Sequence, residues 1–364
     1  MKDFIKEILE KHFGKVNFLT IYEKSPLLQY INLKTSAIYS NTKSRRSLAN
    51  LYAIYAILYF YARDFYGDKE SYRAFEGYEY TKLFRFYRSL YGGEKLQNHA
   101  LNSRVNGEFK NKIVRESDND LIIINNGKYL LHLEYLYIDS LDIAKVALEI
   151  IEKYIALLQE KDSHLIILLE SLTKCKDNNK KKEVIKKLLM QDCEARIFEI
   201  ISYAILKNHY KNEKIYIGKS LNDIEERYLE LYKTGRTNAN DGGIDFVMRP
   251  LGRFFQVTEV NSYDKYLLDI DKVLHFPITF VIKTTLSRID VLQDLQEYIN
   301  KKSQGMKIIK DRYINAIEEI ITINELIEWL DGLDNNSTDL LIKDIDLYYR
   351  LELNLLHNEE VNTT

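Results

Sequence analysis

Cysteine and proline are scarce in this chain of 364 residues, with two of the first and three of the second. Two cysteines, Cys175 and Cys193, cannot build a disulfide framework. With no CxxC spacing and no histidine pair beside them, they do not make a zinc site either. That usage fits a reducing cytoplasm. No long apolar run occurs. The longest uncharged stretch, SLANLYAIYAILYFYA between Arg46 and Arg63, is shorter than the roughly 20 residues of a membrane span. It also carries Asn50 and several tyrosines, so it reads as a buried helix, and no membrane partner is expected. The opening MKDFIKEILEKHF is a charged amphipathic helix rather than a secretory signal. Walker loop, nucleophile elbow and dinucleotide fingerprint are all missing, which leaves ATP-driven, hydrolase-triad and nicotinamide chemistry without support. His99, His132, His164, His209 and His275 show no metal-ligand spacing.

What is present is the composition of a globular protein, 46% apolar and 29% charged, with 28 tyrosines. The net charge of −2 hides a zoning. Between Lys34 and Arg115 basic residues outnumber acids roughly two to one, whereas the segment after Glu318 is acidic. The length predicts two or three domains. The lysine- and amide-rich run KCKDNNKKKEVIKK is the candidate linker, giving residues 1–180, 181–335 and a C-terminal helix and tail over 336–364; the plainer reading of the run is a solvated helix end with a turn at Asp177-Asn178-Asn179.

The first half reads as mainly helical. YTKLFRFYRSL alternates aromatic and basic residues at helical spacing, Gly92-Gly93 breaks the chain, and EKLQNHALNSRVNGEFKNKI is an amide-rich helix. Two apolar runs around Asn125-Asn126-Gly127 then signal a β-hairpin. Helix, glycine turn, helix, hairpin is the order of a winged helix-turn-helix, in which the second helix enters the major groove. Gln97, Asn98, Asn102, Arg104 and Asn106 are its candidate base readers, because Asn and Gln pair with adenine and Arg with guanine. The plainer alternative is a surface helix solvated by its amides.

From Glu194 the pattern is α-β-α-β-β-α-β-α-β, an α/β arrangement with a hairpin in the middle of the sheet. RIFEIISYAIL is an amphipathic helix, KIYIGKS a strand, and LNDIEERYLELY a helix. The stretch from Tyr232 to Val260 follows, a glycine- and amide-rich loop leading into the runs IDFVM and FFQVT. With Leu251-Gly252 as the tip, Asp245 pairs with Thr258 and Val247 with Gln256. Phe246, Met248, Phe255 and Val257 then share one face, and Asp245, Arg249, Gln256 and Thr258 the other. A one-residue slip would bring Glu259 opposite Asp245.

DGGID followed by a strand carrying Gln-x-Thr resembles the core of the PD-(D/E)xK nuclease superfamily, especially its type II restriction endonucleases and Mrr-like members. The resemblance covers about Glu194 to Leu333. It implies a restriction-endonuclease-like mixed central sheet flanked by helices, with the mainly helical domain before it. It implies Mg²⁺ as cofactor, Asp245 as metal-binding aspartate, Gln256 in the Glu/Gln place and Glu199 as the helix glutamate, with Glu194 as the alternative. Glu259 is a further candidate ligand, and Arg236 and Asn238 in the polar loop are candidate DNA contacts. The lysine of the motif falls on Thr258. Lys219, Lys233, Lys283 and Arg236 are the candidates to replace it.

The resemblance thus implies sequence-specific cleavage of double-stranded DNA by metal-activated water, a homodimer, and a DNA methyltransferase as genetic neighbour. The alternative, motivated by Thr258, is a DNA-binding protein on a decayed nuclease fold. A helical interaction protein is the third reading. Taken singly, Asp245 could simply cap its glycine turn, Glu199 could be a surface glutamate and Gln256 an ordinary strand residue.

Overall fold

A computed structural model describes the chain apart from residues 36–43, 96–101, 191–192, 236–243, 259–261, 354 and 356–364. The chain is mixed α/β and divides into two compact units, Met1–His164 and Leu165–Thr364. Among the described residues no helix is long and apolar enough to cross a membrane.

The first unit contains α1 (Asp3–Lys24), α2 (Pro26–Thr35), α3 (Ser44–Asp64), α4 (Lys69–Ala74), β1 (Tyr78–Glu79) and α5 (Tyr80–Arg88). After these come α6 (Ser103–Lys112), β2 (Ile122–Asn125), β3 (Lys128–Leu131), α7 (Leu133–Leu136), β4 (Tyr137–Ile138) and β5 (Leu141–Asp142). The helix α8 (Ala144–Lys174) carries the division between the units. The uncharged run forms α3, and Leu51, Tyr52, Ile54, Ile57, Leu58 and Tyr61 on it are fully buried. Its tyrosines can be buried because their hydroxyls find partners. Tyr52 donates to the Tyr91 carbonyl at 2.6 Å, Tyr55 to Glu152 at 3.0 Å and Tyr61 to Asp142 at 2.6 Å.

The expected hairpin is β2–β3. Asn126 and Gly127 at its turn both have positive φ, 49° and 80°, the requirement of a type I′ turn, which asparagine and glycine meet at least cost. β1 pairs antiparallel with β3, making a three-stranded sheet in the order β1-β3-β2.

The second unit opens with α9 (Asn178–Leu189), then α10 (Ala195–Tyr210), β6 (Lys214–Gly218), β7 (Ile224–Tyr228), β8 (Glu230–Lys233), β9 (Phe246–Arg249) and β10 (Arg253–Thr258). It continues with α11 (Tyr263–Lys272), β11 (Ile278–Ile282), α12 (Arg288–Lys302), α13 (Lys307–Asn315), β12 (Ile317–Ile321), α14 (Ile323–Asp331) and α15 (Asn335–Leu353). A five-stranded sheet runs in the order β12-β11-β10-β9-β8. β8, β9 and β10 form an antiparallel meander, whereas β11 and β12 join in parallel. β11 is buried at every position, as a parallel strand covered on both faces must be.

Two cores flank the sheet. Phe246, Met248, Phe255 and Val281 face α10, α14 and α15 through Phe198, Ile201, Leu326, Leu330 and Ile342. Phe280, Ile278 and Ile282 face α11 and α12 through Tyr266, Ile270, Leu295 and Ile299.

Three expectations need correction. The segment LNDIEERYLELY is not a helix: it supplies β7 and β8, with β7 closing a two-stranded ribbon on β6. The C-terminal helix expected after residue 335 is present as α15 but does not stand apart, because it buries Leu341, Ile342, Ile345 and Tyr349 in the core with α10. The lysine-rich run is not a linker. α9 buries Ile185 and Leu189 in that core, and its Lys182 donates to the carbonyls of Asp331 and Leu333 at 2.8 and 2.6 Å. The division therefore falls earlier, within α8.

Candidate functional site

The hairpin β9–β10 pairs Met248 with Arg253, Val247 with Phe254 and Phe246 with Phe255. Its tip is Pro250-Leu251, and Gly252 follows with a φ of 69° and donates its N–H to the Met248 carbonyl at 2.9 Å. The register differs by two residues from the one the sequence suggested. Side chains alternate with a period of two, so the faces are unchanged.

At the other end the two strands part, and Asp245 stands at the point of separation. Its N–H donates to the Phe255 carbonyl at 2.9 Å, and its carbonyl accepts from the Thr234 N–H at 3.0 Å. Its main chain thus ties β8 and β10 together. Beyond it, the peptide groups of Val257 face the side that β9 has left, and side chains complete them. Asp245 Oδ2 accepts from the Val257 N–H at 2.7 Å, and Gln256 Nε2 donates to the Val257 carbonyl at 3.3 Å. Asp245 and Gln256 therefore converge on one residue. Gln256 is buried, and its Oε1 has no hydrogen-bond partner among the described residues.

Glu199 lies on α10 and is not a surface glutamate: it is 6% exposed. It accepts from Lys233 Nζ at 2.8 Å, a pair whose side chains are 10% and 8% exposed. Lys233 stands across the ladder from Phe246, the neighbour of Asp245. The pair thus sits on the α10 face at the same end of the sheet, where each charge makes burial of the other tolerable. Glu194 likewise pairs with a neighbour, Arg196, at 3.2 Å.

Of the lysines proposed to replace the one missing at Thr258, Lys233 is held by Glu199 and Lys283 donates to the Cys193 carbonyl at 2.9 Å. Lys219 lies exposed between β6 and β7. The ammonium that touches Thr258 belongs to a residue the sequence reading missed: Lys265 of α11 donates to Thr258 Oγ1 at 3.2 Å. The signal was its spacing, seven residues after Thr258.

Asp245 and Gln256 offer the oxygen donors that a hard divalent cation takes. The unpartnered Gln256 Oε1 fits that use, since a buried acceptor without a partner is costly. Glu199 fits it less well, being engaged by Lys233. Among the described residues no group of three or more His, Cys, Asp or Glu is arranged to hold a metal. Arg236, Asn238 and Glu259 lie outside the described residues.

In the first unit, Gln97 and Asn98 also lie outside the described residues. Asn106 is corrected from base reader to clamp. It is buried, its Oδ1 accepts from the Ile122 N–H at 2.9 Å, and its Nδ2 donates to the Ile122 carbonyl at 2.8 Å. Both ends of the amide are spent on β2. Arg104 is exposed and Asn102 half-buried. One and two turns on from Arg104, Gly107 and Asn111 share its exposed face. On the inner side, Glu108 accepts from Lys34 at 2.5 Å, Asn50 at 2.9 Å and Tyr30 at 3.3 Å, which fixes α6 against α2 and α3.

Comparisons with protein-family models, with curated proteins and with solved structures find no match for this chain.

Proposed function

We propose that the chain is a Mg²⁺-dependent endonuclease acting on double-stranded DNA, of type II restriction character. The observation that carries this is the meeting of Asp245 and Gln256 at the peptide of Val257, where β9 parts from β10. The element order supports it. A helix, an antiparallel meander, a helix and a parallel strand are the parts of a restriction-endonuclease-like core, and α10, β8–β10, α11 and β11 follow that order, with the separate β6–β7 ribbon inserted after α10.

In this reading Asp245 and Gln256 would hold Mg²⁺, and Lys233 and Glu199 brace the sheet beside them. The bound ion would polarise a phosphoryl oxygen and lower the pKa of the attacking water. The protein's own part is rigidity, since Asp245 is fixed by main-chain bonds to both neighbouring strands. In the first unit, the pairing of β1 with β3 and the position of α5 and α6 before the β2–β3 hairpin support the winged-helix reading. Its groove-facing helix is then α6, with Arg104 and Asn111 as the exposed readers. A homodimer and a neighbouring methyltransferase gene belong to the same proposal.

The test is incubation with phage DNA and Mg²⁺. Discrete fragments are expected from the wild type and none from Asp245→Ala. No fragments from wild type, or the same fragments from Asp245→Ala, would refute the proposal. The second reading, a DNA-binding protein without cleavage, is favoured by Thr258 at the lysine place. It expects salt-sensitive binding and no nicking.

A further inference from the structure

Phosphodiester hydrolysis builds negative charge on the non-bridging oxygens, and a positioned cation there is a large part of catalysis. Thr258, 3% exposed and neutral, cannot provide it. We infer that Lys265 of α11 provides the missing ammonium, with the Thr258 hydroxyl as the post that positions it. This rests on the nuclease reading above.

Three observations support the inference. Lys265 Nζ donates to Thr258 Oγ1 at 3.2 Å, so the ammonium lies at the β10 position where the motif expects a lysine. Gln256 and Thr258 are two residues apart on that strand and share its α11 face with Phe280 and Ile282, their partners on β11. The charge also remains available. Among the described residues no ion pair involves Lys265, and the adjacent Asp264 is bound by Lys302 at 2.9 Å. Lys233, by contrast, is neutralised by Glu199. The ammonium of Lys265 meets a neutral hydroxyl, and Lys265 itself is exposed, so among the described residues two of its N–H groups remain for a phosphate.

In the step concerned, water attacks phosphorus and the P–O bond to the leaving sugar oxygen breaks. The water oxygen stays on the phosphate, and the leaving oxygen ends as a hydroxyl carrying a proton from the water. Lys265 transfers no proton. It donates hydrogen bonds to a non-bridging oxygen as charge accumulates.

The experiment compares wild type, Lys265→Met and the double variant Lys265→Met/Thr258→Lys on a phage DNA fragment that the wild type cuts in Mg²⁺. Binding of the same fragment is measured in Ca²⁺, and thermal melting is recorded for each variant. Lys265→Met should lose roughly 100-fold in cleavage rate with unchanged melting and binding, and Thr258→Lys should restore most of the loss. Cleavage by Lys265→Met at the wild-type rate overturns the inference while leaving an Asp245-dependent nuclease intact. So does a loss that Thr258→Lys fails to repair in a double variant that melts like wild type. If the wild type itself does not cut, the nuclease reading fails and this inference with it.

Discussion

The two ends of β9 and β10 are built on opposite terms. At the hairpin end the ladder closes on Met248 and Arg253, and the arginine is held by partners from β11 and β12. Its guanidinium donates to Thr279 at 3.0 Å, pairs with Glu319, and lies over the rings of Tyr210 and Phe255 at 5.6 and 4.9 Å. At the open end the ladder stops early, side chains stand in for main chain at Val257, and a buried amide oxygen has no partner among the described residues. One pair of strands thus has a closed, braced end and an end whose polar groups are incompletely used. The difference teaches where to look for function. Unspent polar capacity on a rigid support is what a site requires, and the buried arginine of the hairpin end is already engaged.

The largest expected effect breaks the brace beneath the open end. Glu199→Ala leaves Lys233 buried without its partner and should cost about 3–5 kcal/mol in urea denaturation. Next comes the closed end. Arg253→Ala should cost about 1.5–3 kcal/mol for its charge-assisted bonds and leave DNA cleavage, normalised to folded protein, unchanged. Loss of cleavage there would erase the distinction between the ends. Asp245→Asn reverses the pattern. An amide oxygen still accepts from the Val257 N–H, so stability should fall by only about 1 kcal/mol, while cleavage should be abolished.

The smallest effect is a pH dependence at the closed end. His209 stacks on Trp329 with ring centroids 3.9 Å apart, and burial holds its imidazole below the ordinary value of 6.5 against the opposing pull of Glu213 and Glu319. The unfolded chain therefore takes up a proton near pH 6.5 that the folded chain refuses until lower pH. This contribution is complete above 6.5 and declines as pH falls toward the depressed folded value. Melting temperature measured from pH 7.5 downward should fall less steeply in His209→Phe than in wild type.

Parts of this were legible in the residues. Asn126-Gly127 demanded a hairpin because few other residues tolerate two positive φ angles in succession. The two faces of β9 and β10 were readable even with the tip misplaced, since a slip of two residues returns every side chain to its own side. β7 and β8 were not. Ile224, Tyr228 and Leu231 are spaced four and three apart, which suits a helix as well as two short strands, and only pairing with β6 and β9 chooses between them. Asn106 read as a surface amide because its partner, the Ile122 peptide, lies beyond the end of α6.

By itself the sequence determined what is local: turns that need particular φ angles and the apolar faces of strands. Tertiary structure decided which charges are spent and which remain. Glu199 and Lys233 neutralise one another across a helix and a strand, while Lys265 reaches back from the following helix to Thr258. The physical reason is range. Backbone preference and side-chain alternation act between neighbours, but the partner of a buried charge is set by which elements the core brings together.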